Sequence, residues 1–242
     1  MHAFDDAFGH MLYDHMQGEA VKDVIERDDG FVTVSIGPDI YFSEFKNWPP
    51  FEQQAMKYPT GKVLDIGCGA ARHALYLQSL GMEVLVIDTS PLAIFISQRR
   101  GLRKARLCSI TQVNSKLGNI DSILLGGNNF GLMASLSRAR WLLRRFYSLT
   151  PPTGRIIAAS SDPYMTKDVD HLAYHSRNRQ KGRMVGQVRI RYRYRRFKDV
   201  WFDYLFVSKK EMEDIVEGTG WRVTEYLDDD GPRYIAILEK RS

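Results

Sequence analysis

Short apolar runs alternate with segments of helical periodicity from about residue 60 to the C-terminus. Turn-forming residues bound each run, and the segments between runs carry apolar side chains at three-to-four spacing, which predicts βα units. This alternation favours one mostly parallel sheet with right-handed crossovers. The predicted strands are 62–66, 83–87, 105–108, 121–125, 155–159, 221–227 and 234–239. The predicted helices are 70–80, 91–100, 132–149 and 209–218.

The N-terminal quarter of the chain follows a different pattern. An apolar three-to-four repeat that begins at Phe4 predicts a helix over residues 1–27. Residues 31–35 and 40–42 are β-branched and aromatic, and a glycine–proline pair lies between them, so they predict a short hairpin. The proline pair at 49–50 then begins another helix.

Residues 161–207 interrupt the βα alternation after the fifth strand of the predicted sheet. Residues 188–195 alternate strictly between apolar and arginine side chains, which predicts a strand with two unlike faces. Residues 201–207 are its expected partner. We expect a β-hairpin insertion, or lid, over the carboxyl ends of the sheet, where ligands bind in such folds. The expected organisation is an N-terminal cap over 1–60 and a domain over 61–242 that carries this insertion.

The most specific chemistry follows the first strand of that sheet. Asp65 ends an apolar run, and Gly67 and Gly69 then permit a sharp backbone turn with no side chain in the way of a ligand. The next helix presents its positive N-terminal end to that ligand. About twenty residues on, Asp88 ends a second apolar run, where a carboxylate can accept from two ribose hydroxyls. Together these features predict a pocket for an adenosine-bearing cofactor.

The order of small residues in this turn separates two classes of cofactor. The dinucleotide motif has a third glycine where this chain has Arg72, whose side chain would crowd a pyrophosphate. The order D-x-G-x-G-x-A over residues 65–71 instead resembles motif I of the class I S-adenosylmethionine-dependent methyltransferases. Residues 88–91, Asp-Thr-Ser-Pro, resemble the acidic turn after the second strand in that family.

The resemblance implies a fold, a cofactor and an activity. The fold is α/β, with a Rossmann-like, doubly wound and mostly parallel sheet of seven strands, the last inserted antiparallel. The cofactor is S-adenosyl-L-methionine, and the activity is methyl transfer. Expected cofactor-binding residues are Asp65, Gly67, Cys68, Gly69, Asp88, Thr89, Ser109, Ile110, Gly126 and Asn128. Ser109 and Ile110 are included by analogy with the family, although the acidic residue common at that motif is absent.

The turn after the fourth strand, residues 126–131, is expected on the acceptor side. It has no proline and so departs from the D/N-P-P-Y/F motif of amino-directed DNA methylation. Candidate acceptor-side residues are Asn129, Phe130, Tyr41 and His171. The alternatives are a turn rich in residues that tolerate left-handed backbone and aromatic residues that only fill the core. No metal site is expected, because His171 and His175 have no predictable third ligand.

The net charge of +5 is a property of one segment. Residues 177–198 hold ten Lys and Arg and no Asp or Glu, so the rest of the chain is net acidic. Three interpretations of the basic face remain open: solvated side chains over a packed apolar face, phosphate contacts of a nucleic-acid reader, and steering of an anionic substrate. The arginines concerned are Arg189, Arg191, Arg193 and Arg195.

Composition narrows the expected cellular location of the protein. Two cysteines do not make a disulfide framework, and residues 1–6 lack the basic and apolar regions of a secretory signal. No apolar run reaches the roughly 18 residues of a membrane helix. We therefore expect a cytoplasmic methyltransferase with a small-molecule acceptor and no membrane partner. RNA-directed methylation, nucleic-acid binding, a cofactor-binding protein without activity and a homodimer remain open, and the acceptor atom and any general base are not predicted.

Overall fold

The predicted βα alternation forms the core of the fold. The computed structural model describes residues 6–35 and 37–241. Its strands are β1 Val24–Arg27, β2 Val32–Val34, β3 Lys62–Ile66, β4 Glu83–Asp88, β5 Ala105–Leu107, β6 Ser122–Leu125, β7 Arg155–Ser161, β8 Gln187–Tyr194, β9 Phe197–Lys198, β10 Phe202–Leu205, β11 Trp221–Asp228 and β12 Arg233–Lys240. Its α-helices are α1 Ala7–Met16, α2 Asp39–Phe42, α3 Pro50–Ala55, α4 Arg72–Ser79, α5 Pro91–Arg99, α6 Leu136–Leu149, α7 Val169–Gln180 and α8 Lys209–Val216.

The main sheet has seven strands in the order β11-β12-β7-β6-β3-β4-β5. The five strands from β7 to β5 are parallel, and β12 lies antiparallel between β7 and β11. Side chains alternate between two apolar layers: Leu64 and Ile66 pack in one, and Val63 packs in the other. Helices α6 and α8 cover the first layer, and α3 and α4 cover the second. The predicted fold class is therefore confirmed, including the antiparallel last strand.

A second sheet corrects part of the N-terminal prediction. Its order is β10-β8-β1-β2, with β9 paired to β8. The first helix ends at Met16, and β1 occupies part of the region predicted as helix, because its alternating residues pair with β8. β2 pairs with β1, and residues 40–42 are helical in α2 rather than a partner strand. Phe4 lies outside the described residues.

The predicted hairpin of the insertion is present. β8 pairs antiparallel with β10, with Ile190 opposite Phe202. The sequence pattern did not predict α7, whose hydrophobic face is weakly defined. Asp168 caps its N-terminus, and the Asn178 side chain near its C-terminus donates to the carbonyls of Val185 (3.0 Å) and Gln187 (2.7 Å). These bonds tie the helix to the start of β8.

In the part of the chain that the structure describes, no helix is long and apolar enough to cross a membrane.

Candidate active site

A cavity of about 660 Å³ opens where β3, β4 and β6 end, and this volume lies in the usual range of small-molecule sites. Predicted site residues along its wall are Tyr41, Gly67, Cys68, Asp88, Thr89, Ser109, Ile110, Gly126, Asn128 and Asn129. Asp65, Gly69, Phe130 and His171 do not line it. The carboxyl ends of neighbouring parallel strands thus bring together residues that are far apart in sequence.

The glycine turn leaves β3 in a conformation that favours glycine. Gly67 has φ +74° and Gly69 has φ +53°. The Gly67 amide donates to the carbonyl of Ile87 (2.8 Å), which anchors the turn to β4. A Cβ at Gly67 would lie 2.7 Å from Nδ2 of Asn129, so the turn has no room for a side chain. Asn129 braces the same turn, since its Nδ2 donates to the carbonyls of Ile66 (2.9 Å) and Gly67 (2.7 Å).

Asp88 links the glycine turn to the acidic turn after β4. Its Oδ2 accepts from the Gly69 amide (3.0 Å), and its Oδ1 accepts from the Ser90 amide (2.9 Å). Burial raises the pKa of Asp88 to about 6, against the lowering effect of these backbone hydrogen bonds. Each carboxylate oxygen accepts one backbone bond and keeps acceptor capacity at the cavity wall, which suits a ligand with two neighbouring hydroxyls.

Asp65 occupies the neighbouring position on β3 and is almost completely buried. Burial raises its pKa to about 7, and the nearby charge of Asp88 adds to the shift. Because it does not line the cavity, its place is beneath the turn. A buried acid there affects the stability of the protein directly.

The adenine-side candidates lie after β5. Ser109 caps a 3-10 helix, Ile110–Gln112, in a reciprocal arrangement with the Gln112 side chain. Ile110 packs in the main core and also faces the cavity. Together they give this part of the wall an apolar surface beside a hydroxyl.

The turn after β6 corrects one acceptor-side prediction. Phe130 is fully buried in the main apolar core and does not line the cavity, because the turn continues into a 3-10 helix that points this ring inward. Asn128 has a left-handed backbone (φ +70°) and faces the cavity. Its side-chain oxygen accepts from the Ser161 hydroxyl (3.0 Å), and its carbonyl accepts from the Tyr204 hydroxyl (2.6 Å).

The histidines occupy two different environments. His171 is a correction: α7 places it against the ring of Phe31, with Nδ1 3.2 Å from the Thr166 hydroxyl, away from the cavity wall. His73 is buried as a packed helix residue, and burial lowers its pKa. It lies beside Glu52, which also pairs with Arg72 (2.8 Å). Among the described residues no three His, Cys, Asp or Glu side chains come together as a metal site.

Several cavity residues were missed by sequence reasoning. Asp6 is buried and accepts from the Ser90 hydroxyl (2.7 Å) and the Leu92 amide (3.1 Å), so it fixes the start of α1 to the acidic turn. Aromatic residues of the cap and the insertion also line the cavity, among them Phe8, Tyr192, Phe202 and Tyr204. The alternation in β8 placed Tyr192 on the apolar face, but the cavity beneath that face has no local sequence signal.

Three of the four arginines named for the basic face form ion pairs within the chain, and the fourth, Arg189, lines the cavity. Glu26 on β1 pairs with Arg191 (2.8 Å) and Arg193 (3.5 Å). Arg195 pairs with Asp14 (2.9 Å) and Glu19. These pairs favour the structural interpretation of the basic segment and give nucleic-acid binding no support.

The donor set around the cavity fits an S-adenosylmethionine-type cofactor. Asp88 offers carboxylate oxygens to a ribose diol, and the turn at Gly67 brings bare backbone to the wall. Ile110 offers an apolar surface to a planar base. No metal or redox group is needed to account for these features.

A family model and a solved structure are similar to this chain. The family model of the tellurite resistance protein TehB matches residues 52–131, which contain the glycine turn, Asp88 and the turn after β6. An S-adenosylmethionine-dependent methyltransferase from Bacteroides fragilis, solved with S-adenosyl-L-homocysteine, is similar to the chain with a TM-score of 0.84 and 25% identity. The match covers 100% of this chain and 98% of that one.

More distant structures share the fold. CcbJ methyltransferase from Streptomyces caelestis has a TM-score of 0.64 and 12% identity, covering 84% of this chain and 96% of its own. The 1,6-didemethyltoxoflavin-N1-methyltransferase of Burkholderia thailandensis has a TM-score of 0.52 and 17% identity, covering 84% of this chain and 82% of its own. No curated protein matches the sequence.

Proposed function

We propose that this chain, which is a class I S-adenosylmethionine-dependent methyltransferase by its fold and its likeness to solved enzymes of that class, methylates a small molecule. The observation that supports this most strongly is that Asp88, at the cavity wall, accepts from the amide of Gly69 and so joins the acidic turn to the glycine turn. The B. thailandensis enzyme, by its name, acts on a small heteroaromatic compound, and that fits the proposal.

We propose the following roles for the cavity residues toward the cofactor. Asp88 accepts from the ribose hydroxyls, and Ile110 and Ser109 lie along the adenine. Gly67 and Gly69 let the backbone approach, with Cys68 between them. Thr89, Gly126 and Asn128 complete the wall around the nucleoside and the methionine chain. Asp65 orders the turn from beneath, since it lies outside the cavity lining.

The cofactor, when bound, would supply a methyl group on a positively charged sulfur; a lone pair of the acceptor would bond to the methyl carbon while the carbon–sulfur bond breaks and the thioether leaves as a neutral molecule. The residues of this chain align the methyl donor with the acceptor and exclude water from the cavity. The hairpin β8–β10 supplies much of the opposite wall, through Tyr192 and Tyr204. We assign no general base.

We further propose that the cap and the insertion act as one lid. β1 from the cap and β8 from the insertion pair over four residues, so neither segment moves without the other. Cys68 and Cys108 are free thiols, which fits the cytoplasmic location that we propose.

Methyl transfer is tested with S-adenosylmethionine that carries a trideuterated methyl group. The protein is incubated with this compound and a small-molecule extract, and mass spectrometry follows products with the isotopic mass shift. A labelled product that Asp88→Asn forms far more slowly supports the proposal. Cofactor binding with no labelled small molecule in any fraction contradicts it.

A further inference from the structure

We infer that the acceptor is a planar aromatic molecule, an inference that rests on the methyl transfer proposed above. Five rings line the cavity in succession, and we call them the aromatic arc. They are Phe8, Tyr41, Tyr192, Phe202 and Tyr204. They come from three separate parts of the chain: helix α1, helix α2 and the hairpin of the insertion.

Consecutive rings of the aromatic arc are in contact. Phe8 lies 5.2 Å from Tyr41 and 5.1 Å from Tyr192, measured between ring centroids. Tyr192 lies 6.2 Å from Phe202, and Phe202 lies 6.3 Å from Tyr204. All of these separations fall within the range of favourable aromatic pairs. The arc is therefore one continuous surface rather than five isolated side chains.

The two ends of the arc touch the two turns of the cofactor site. A Cβ built at Gly69 would lie 3.1 Å from Tyr41 and 3.6 Å from Phe8. At the other end the Tyr204 hydroxyl donates to the carbonyl of Asn128 (2.6 Å). The arc thus spans the space between the glycine turn and the turn after β6. An acceptor that reaches the transferred methyl group must lie against it.

The two rings in the middle of the arc are nearly parallel. Tyr192 and Phe202 lie on neighbouring strands, and their ring planes differ by only 17°. Parallel rings present their faces in the same direction, and a planar molecule can stack on such a face, whereas a saturated ring makes fewer close contacts with it. The shape of the wall therefore favours an aromatic acceptor over an aliphatic one.

The arc also carries neutral hydroxyl groups. Burial raises the pKa of Tyr41 to about 12, and burial raises the pKa of Tyr192 as well. Both phenols keep their protons at neutral pH, and their hydroxyls are hydrogen-bonded to each other. The pair keeps one O–H donor and lone pairs for a hydroxyl or a ring nitrogen of the acceptor. The Tyr204 hydroxyl is already committed to Asn128.

The charges beside the arc are of both signs. Asp6 accepts from Ser90 and Leu92, Asp88 accepts from Gly69 and Ser90, and Glu52 pairs with Arg72. The cavity lining also contains two further carboxylates and three further arginines, Asp199, Asp203, Arg138, Arg189 and Arg233. An ammonium group would therefore meet positive as well as negative side chains beside the ring faces.

Binding to the protein saturated with S-adenosyl-L-homocysteine tests the inference. The probes are 2-naphthol, its saturated counterpart decahydro-2-naphthol, and choline, each titrated by ligand-observed NMR. We expect 2-naphthol to bind at least about tenfold more tightly than either other probe. In Phe202→Leu we expect this preference to fall to about threefold or less, because the substitution removes the flat face but keeps an apolar side chain.

The control is Phe95→Leu, which makes the same exchange at an exposed ring of α5 outside the cavity and should leave the preference unchanged. Equal binding of the two naphthol probes, tighter binding of choline, no binding of 2-naphthol, or an unchanged preference in Phe202→Leu would each overturn the inference. The affinities of the wild-type protein for the three probes test the inference even if Phe202→Leu does not fold. Failure of S-adenosyl-L-homocysteine to bind is a separate result, since it contradicts the methyltransferase proposal itself.

Discussion

Asp65 and Asp88 end or nearly end two neighbouring strands, and burial raises the pKa of both. Their surroundings differ in one respect: Asp88 faces the cavity, whereas Asp65 does not. Burial therefore has two consequences. At Asp88 it makes the capacity to accept from a ligand depend on pH, and at Asp65 it makes the stability of the protein depend on pH.

Replacement of Asp88 tests its role directly. Asp88→Ala should weaken S-adenosyl-L-homocysteine binding by about tenfold or more, because charge-assisted hydrogen bonds to two hydroxyls are lost. In the wild type the affinity should also fall as the pH drops through about 6, because protonation removes acceptor capacity. Calorimetric titrations at several pH values measure both effects. Asp230→Asn, at an exposed acid, is the control, and unchanged affinity in Asp88→Ala would remove Asp88 from the site.

Asp65 gives the second prediction at this scale. Its pKa is raised from 3.8 to about 7, so the folded state holds a proton that the unfolded chain releases between these values. That stabilising contribution is fully present below about pH 4 and is lost as the pH rises through 7. The stability of Asp65→Asn relative to the wild type should therefore rise between pH 5 and pH 8, by about 3 kcal/mol.

Thermal or urea unfolding of the cofactor-free protein at the two pH values measures the gain. Asp230→Asn should show no such trend. A difference between Asp65→Asn and the wild type that does not change with pH would contradict a buried, titrating Asp65.

At the scale of elements, two glycines allow the cost of a left-handed backbone to be compared with the cost of a steric clash. Gly67 (φ +74°) and Gly81 (φ +86°) both have left-handed backbones, but only at Gly67 would a Cβ meet other atoms, Nδ2 of Asn129 and Cδ1 of Leu132 (2.8 Å). Both alanine variants should lose about 1 kcal/mol for the backbone. Gly67→Ala should lose more, since the Asn129 amide would have to leave the two carbonyls to which it donates.

Gly67→Ala should also weaken S-adenosyl-L-homocysteine binding, whereas Gly81→Ala should not. Urea unfolding and calorimetry separate the two effects. Equal stability and equal affinity of the two variants would show that the turn is not packed as described.

A partly buried hydrogen bond links the hairpin of the insertion to the turn after β6. Tyr204→Phe leaves the carbonyl of Asn128 without its donor, which should cost about 1–3 kcal/mol. The matched exchange Tyr147→Phe, at an exposed ring on α6, should cost far less. Unfolding free energies measure both, and equal losses would contradict the link between Tyr204 and the turn.

Local pattern predicted the elements whose signal is local. The strands of the main sheet have apolar runs, and the turn around Gly67 has a specific order of residues, so both were predictable. β1 was missed because its partner β8 lies more than 160 residues away in the chain, and no nearby residue signals that pairing. Phe130 was placed wrongly because a turn sequence does not show which way its 3-10 helix points the ring. His171 was placed wrongly because α7 has no clear periodic pattern, so the sequence did not show which way this side chain points.

At the scale of the whole molecule, two sheets enclose one cavity. The seven-stranded sheet supplies the cofactor-side wall through its carboxyl ends, and the smaller sheet with α1 supplies most of the opposite wall. The cap and the insertion come from distant parts of the chain and share this smaller sheet. The sequence predicted the cofactor-side turns and the insertion separately. It did not predict that the cap and the insertion pair in one sheet, because that pairing depends on tertiary contacts alone.

The central claim is that this cavity binds the methionine nucleoside. Isothermal titration of the purified protein with S-adenosyl-L-homocysteine tests it most directly, with adenosine and NAD as comparison ligands. We expect saturable heat with one site per chain for S-adenosyl-L-homocysteine, weaker binding of adenosine and none of NAD. No heat with S-adenosyl-L-homocysteine, or tighter binding of NAD, would contradict the account.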